Sequence, residues 1–132
     1  MLAMLFDIHG NLPALDAVLE DATRQGADRW LLGGDYAVFG GWPAETVGRL
    51  RELPEATWIR GNVDRWAAEE GLPGFEPADS GVVACRELLE PATVVELGGL
   101  PTNADLGSGT SAWHASPKSD MRSFWPQPGG VN

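Results

Sequence analysis

The chain has 132 residues, about one domain, enough to bury roughly two-thirds of the surface its unfolded form exposes. Nine Lys+Arg against 19 Asp+Glu give a formal charge of −10, which excludes nucleic acid and anionic lipid as partners held by bulk charge. A single cysteine, Cys85, excludes an internal disulfide framework and points to the cytoplasm, and the opening apolar run is too short for a signal peptide or a membrane span.

Met1 to Phe6 is apolar and stops at Asp7-Ile8-His9-Gly10-Asn11. The run predicts a buried strand, whose alternating side chains send Asp7 and His9 to one side of its carboxyl end and Ile8 to the other. Ligands of open α/β sheets bind at that end. Asp oxygen and His nitrogen together suit a divalent first-row metal, although a polar strand end leading into a turn also accounts for the pair. A helix follows, with Asn11 near its N-cap, Pro13 in the first turn, Leu15, Val18, Leu19 and Ala22 as an apolar stripe, and Gly26 as its stop.

The unit then recurs. Trp30-Leu31-Leu32 ends in Gly33-Gly34-Asp35, a loop carries Tyr36, Phe39 and Trp42, and a helix opens at Pro43-Ala44, turns Val47, Leu50 and Leu53 inward and stops at Pro54. Thr57-Trp58-Ile59 is the third strand, followed by Arg60-Gly61-Asn62-Val63-Asp64 and a short helix from Arg65 to Glu70, with Asp64 as its cap. Strands alternating with helices predict a parallel sheet with right-handed crossovers, which brings Asp7, His9, Asp35 and Asn62 to one edge.

Beyond a Pro/Gly loop from Gly71 to Ser80, helices are expected over Val82 to Leu89 and, from the recurring Pro-Ala start, over Pro91 to Leu97. A hairpin is expected from Asn103 to Gly107 and Ser111 to His114, joined by Ser108-Gly109-Thr110 and ending in His114-Ala115-Ser116-Pro117. Residues 127–132 lack periodicity and read as an unstructured tail to a domain spanning 1–126.

Two carboxylates about 4 Å apart repel by roughly 4 kcal/mol at an effective dielectric of 20, so Asp7 and Asp35 need a positive charge between them. Of the basic side chains only Arg60, Lys118 and Arg122 lie near a motif, which makes a bound cation as good a neutraliser as a side chain. With Asn62 offering a neutral oxygen and His114 a second imidazole, the five donors form a mixed N/O set that fits two divalent ions sharing Asp35.

Asp-Ile-His-Gly-Asn at 7–11, Gly-Gly-Asp at 33–35, Gly-Asn-Val-Asp at 61–64 and His-Ala-Ser-Pro at 114–117 resemble, in order and spacing, the motifs of the calcineurin-like metallophosphoesterases. The resemblance covers residues 1 to 126 and implies a four-layer α/β/β/α sandwich with a dinuclear centre at the carboxyl ends of its strands. By motif, Asp7 and His9 would bind one metal, Asp35 would bridge, and Asn62 and His114 would bind the other. A hydroxide between the ions would then attack a small phosphate ester in line, with Asp35, Asn62 and His114 at the reacting group. Manganese suits the donor mix, with iron, zinc and nickel as alternatives. Asn11 and Arg60 are substrate-binding candidates, and Trp42 and Trp66 follow motif loops from which they could stack on a nucleoside. Ser116 has no acid–His partner and reads as a turn cap.

The sequence departs from the family pattern twice. Val63 stands where family members often have a histidine that stabilises the transition state or protonates the leaving group, an absence shared with phosphodiesterase-like branches. A later Gly-His-x-His motif, which supplies one more ligand to each metal, cannot be present, because His9 and His114 are the only histidines. The C-terminal part of the sandwich is therefore expected to be missing, with an unpaired sheet edge and impaired turnover. A non-catalytic metal-binding remnant of the fold is the second reading. A phosphoacceptor signalling module is the third, although it would place two acids after the first strand and a lysine at a later one.

Overall fold

The three apolar runs of the first half pair side by side as parallel strands, each returned to the next by a helix. The computed structural model describes residues 1–122, so the expected tail at 127–132 and the domain limit at 126 lie outside the described residues. In chain order the elements are β1 (Leu2–Leu5), α1 (Leu12–Arg24), β2 (Arg29–Leu32), α2 (Pro43–Arg51), β3 (Ala56–Trp58), α3 (Asn62–Ala68), α4 (Ala78–Leu88), α5 (Pro91–Gly98), β4 (Asn103–Gly107) and β5 (Thr110–Trp113). The sheet order is β1-β2-β3, with Leu2 opposite Arg29 and Trp30 opposite Ala56, and β4 and β5 form a separate antiparallel pair.

Strand alternation sorts the core into two layers. Trp30 and Leu32 face the helices, where Leu15, Leu19, Val47, Leu50, Val63, Trp66, Val82 and Leu97 close one large cluster. Leu31 faces the other way and meets Ile59 and Ala104, with Leu2, Leu106 and Ala112 at the margin, so the hairpin lies on the opposite face of the sheet. Helices, parallel sheet and a first piece of second sheet are thus stacked as the sandwich reading requires.

The first strand differs from its expected burial. β1 is an edge strand, and Met4, which shares the hairpin side with its neighbour Leu31, remains 59 % exposed. The strand also ends at Leu5. Asp7 (φ 55°) and His9 (φ 51°) both adopt the left-handed conformation, so a turn rather than strand alternation sets their directions.

α1 starts as its cap predicts, the Asn11 side chain accepting from the Ala14 N–H at 3.2 Å, and Leu15 and Leu19 form its buried stripe. Val18 faces solvent instead, and Leu53 lies beyond the last residue of α2. α3 begins at Asn62, three residues before the expected Arg65, because Gly61 in an extended conformation already serves as N-cap. α4 begins at Ala78, inside the expected loop, and α5 matches the Pro-Ala signal. The hairpin turn is Ser108-Gly109, both residues at positive φ, while Thr110 already pairs with Gly107. Among the described residues no helix is long and apolar enough to cross a membrane.

Candidate metal centre

Two loops are zipped together beyond the carboxyl ends of β1 and β2. Asp7 N–H donates to the Gly34 carbonyl at 3.2 Å, His9 N–H to that of Asp35 at 2.8 Å and Gly10 N–H to that of Tyr36 at 2.8 Å. Asp35 is itself left-handed at φ 62°, so three of the five expected donors sit in a backbone region that costs an L-residue about 1 kcal/mol or more. Strain of this kind persists only where the surroundings over-determine it.

The surroundings do so through Asp64. Its buried carboxylate accepts from the N–H groups of Asp35 at 2.8 Å, Tyr36 at 3.1 Å and Gly61 at 2.8 Å. Burial pushes this carboxyl up to about 6, against the opposing pull of the three donors. Asp64 was expected only to cap the helix after it. It lies inside the first turn of α3, holds the cap residue's N–H, and also fastens the Asp35 loop to that helix. Beside it, the backbone of Gly61 passes so close that an added Cβ would stand 2.0 Å from Asp35 Oδ1 and 2.6 Å from the Asp35 nitrogen.

Tyr36, buried, points its hydroxyl at the carbonyls of Leu32 and Ile59, 2.6 and 2.7 Å away, and ties the ends of β2 and β3. Burial raises its pKa above the ordinary phenol range, so it remains a neutral donor.

The donors converge as follows. His9 Nδ1 lies 3.0 Å from the Val38 carbonyl, which places a proton there and leaves the Nε2 lone pair facing Asp35 Oδ2 at 3.8 Å. His114 repeats the arrangement from the end of the hairpin, with Nδ1 2.7 Å from the Gly33 carbonyl and Nε2 3.5 Å from Asp35 Oδ2, 3.9 Å from Asp7 Oδ1 and 3.1 Å from Asn62 Oδ1. Asp35 Oδ1 is occupied by the Val63 N–H at 3.1 Å, so Oδ2 is the oxygen turned to both imidazoles. The His114 and Asp35 side chains are 8 % and 6 % exposed, that of Asp7 61 %. A hydrogen bond donated to the Asp35 carboxylate, followed by the Asp35 charge, the Gly33 carbonyl and the Asp7 charge, pushes the His114 imidazole up to about 9 despite its burial.

This donor set fits a divalent cation. One oxygen each of Asp7 and Asp35 and one nitrogen of His114 lie within 4.8 Å of one another, and the separations of 3.5 and 3.9 Å fall below the ~4.2 Å that two ligands span across one ion at bonds of ~2.1 Å. Both imidazoles donate their other N–H to a main-chain carbonyl, as metal-ligating histidines do. Asp7, Asp35 and His114 meet in one group, and His9 Nε2 and Asn62 Oδ1 adjoin it at 3.8 Å from Asp35 Oδ2 and 3.1 Å from His114 Nε2. The two substrate candidates stand at its margins, Asn11 beside Asp7 and His9 and Arg60 beside His114. Asn11 spends its side-chain oxygen on capping α1. Arg60 donates from NH1 to the Gly98 carbonyl at 3.1 Å and lines a neighbouring cavity with His114.

Among the aromatics, Trp66 is buried and packs edge-on against the half-exposed Phe75, Trp42 stays exposed beside the His9 loop, and Phe39 lies 5.4 Å from the His9 ring. Ser116 caps a turn, donating to the Ser119 carbonyl at 3.2 Å. The carbonyls of Gly33 and Val38, which orient the two imidazoles, carried no sequence signal because any residue can supply them.

The sequence pattern of the calcineurin-like phosphoesterase family matches residues 7–128. The crystal structure of a metallophosphoesterase from Sphaerobacter thermophilus superposes with a TM-score of 0.76 at 28 % identity, over 94 % of this chain and 50 % of that one. A hypothetical protein from Pyrococcus horikoshii OT3 shares the fold, with a TM-score of 0.69 at 22 % identity over 79 % of this chain and 50 % of its own. An uncharacterized protein of Methanocaldococcus jannaschii is 42 % identical over 53 residues, which are 40 % of this chain and 22 % of that protein. The chain thus spans about half the length of the solved structures it matches and a smaller share of the curated relative.

Proposed function

The chain belongs to the calcineurin-like phosphoesterase family, and on that premise we propose that Asp7, His9, Asp35, Asn62 and His114 form a dinuclear centre for the hydrolysis of small phosphate monoesters or diesters. The observation that carries the reading is the aim of the two imidazoles. Each gives its Nδ1–H to a main-chain carbonyl and turns Nε2 to the same oxygen, Asp35 Oδ2, at 3.8 and 3.5 Å. On this reading Asp35 would bridge, with Asp7 and His9 holding one ion and Asn62 and His114 the other. Asp7 also approaches His114, at 3.9 Å.

When bound, two divalent ions, manganese first, would supply the positive charge that activates the attacking water and offsets charge building on the phosphoryl oxygens. The chain's own part is to fix the donors before the ions arrive. The left-handed turns at Asp7, His9 and Asp35 and the Asp64 clamp hold them, so little reorganisation accompanies binding.

Val63 shapes the substrate range. Its side chain is buried and only its N–H serves the centre, on Asp35 Oδ1, so this position offers no acid to the leaving group. Esters with acidic leaving groups, aryl above alkyl, are the favoured substrates. Five donors shared by two ions leave coordination positions open, and turnover by the 132-residue chain is expected to be low.

Native mass spectrometry of the purified chain titrated with Mn²⁺ tests the reading. Two ions per chain, reduced to one weak ion or none in Asp35→Asn, alongside Mn²⁺-dependent release of p-nitrophenol from its phosphate mono- or diester, are expected. Binding of one ion or none by the parent chain would leave the metal-binding remnant as the better description, and unchanged binding in the variant would remove the bridge.

A further inference from the structure

The wall of the centre formed by His114 is shared with a cavity of about 270 Å³ whose charge is unlike the rest of the molecule. In a chain of net charge −10, most cations are already engaged. Arg24, Arg49, Arg51 and Arg65 form ion pairs, and Arg86 donates to four main-chain carbonyls. Arg60 and Lys118 form no ion pair among the described residues, and both line this cavity. Its acid, Asp120, is taken at both oxygens by the Arg65 guanidinium, at 2.7 and 3.2 Å. Arg60 also carries a buried Nε without a hydrogen-bond partner among the described residues. Trp113, Thr102 and Ser119 are also among its lining residues.

We propose that this cavity holds a second phosphate group of the substrate, so that the preferred substrates are small phosphate esters or anhydrides bearing two phosphates. The substrate assignment rests on the metal-centre reading, because only then is His114 the boundary between the reacting phosphoryl and the second one. A planar guanidinium and a mobile ammonium on one cavity are the pair that recognises a phosphate oxyanion by charge-assisted hydrogen bonds. The neutralised Asp120 does not oppose it. Trp113 gives the linker between the two phosphates an apolar surface.

Lys118 is the only lysine, so amine acetylation reports on it alone, with the Met1 amine at the far end of β1 as internal reference. In EDTA, saturating inorganic pyrophosphate is expected to slow acetylation of Lys118 about tenfold relative to Met1, the effect of one charge-assisted contact, and this protection is expected to vanish in Arg60→Gln. Equal slowing at both amines, no slowing, or full protection in an Arg60→Gln chain that melts normally would overturn the proposal. Should Arg60→Gln not fold, Lys118→Gln serves, because Lys118 is exposed in a turn. With Mn²⁺ present, this variant is expected to bind pyrophosphate no more tightly than it binds inorganic phosphate, and a retained preference would overturn the proposal. Protection in EDTA from a chain that binds no Mn²⁺ would preserve the cavity and remove the metal reading. Mn²⁺ binding without protection would remove the cavity alone.

Discussion

Asp64 reaches back 29 and 28 positions to hold the N–H groups of Asp35 and Tyr36, and a single oxygen, Oδ2, serves both Asp35 and the cap residue Gly61. Asparagine keeps the shape but turns an amide N–H₂ toward at least one of these donors. Asp64→Asn is expected to lower stability by about 1 to 3 kcal/mol in urea unfolding and to weaken Mn²⁺ binding as well, since the loop carrying the bridge is released. A variant with parental stability and metal affinity would show that the clamp is dispensable. Thr46 is the contrasting case, fully buried on α2 with a hydroxyl that has no partner among the described residues. Thr46→Val replaces that hydroxyl by a methyl group of equal size, and unfolding is expected to find it neutral or up to about 1 kcal/mol more stable. At this scale the sequence disclosed candidate donors better than supports. Asp7, His9, Asp35, Asn62 and His114 are residue types whose chemistry is visible in one dimension. The second job of Asp64, the buried place of Trp66 and the solvent side of Val18 depend on partners distant in the chain.

The elements were legible where a cap or a hydrophobic period marked them and illegible where the marker lay in the backbone. Asn11 announces α1 and the Pro-Ala pairs announce α2 and α5, whereas α3 is opened by Gly61, which reads as a loop residue until its extended conformation is known. The same limit hid the turns at Asp7 and His9, because alternation along a strand cannot foresee a strand that stops at Leu5. One junction between elements can be tested by pH. Arg65 on α3 grips Asp120 on the segment after β5, and its guanidinium holds the Asp120 carboxyl below the usual carboxylate range. A carboxyl with a depressed folded pKa contributes stability that is fully present above its unfolded value, near ~3.9, and is lost as pH falls through the folded value. With both side chains less than a third exposed, the contribution is about 1 kcal/mol. Asp120→Asn is expected to melt earlier than the parent at pH 7, and the gap is expected to shrink as pH falls below the unfolded carboxyl value and through the lowered folded one; a gap that stays constant through the acid range would sink the assignment.

For the molecule as a whole, metal binding at the proposed centre would be coupled to folding. A cation that binds the folded chain at a hundredfold excess over its Kd adds about 2.7 kcal/mol per site, roughly 10 °C in Tm for a chain of this length, and EDTA removes it. Thermal melts of the parent with and without Mn²⁺ should show that difference, while Asp35→Asn should show little or none. An Mn²⁺-independent Tm in the parent would count against an ordered cation site.

The place of His114 has a consequence for how such a chain is made. The helix-covered sheet uses neighbours in sequence, β1 with β2 and β2 with β3, so on a ribosome it can assemble as its parts emerge. The imidazole that rests on the Gly33 carbonyl arrives 81 residues later. Until then the two carboxylates lack that imidazole between them, and their loops are held by the backbone bonds that zip them together and by the Asp64 clamp. A cation bound there would enter as the last part fitted, sealing a fold it did not direct.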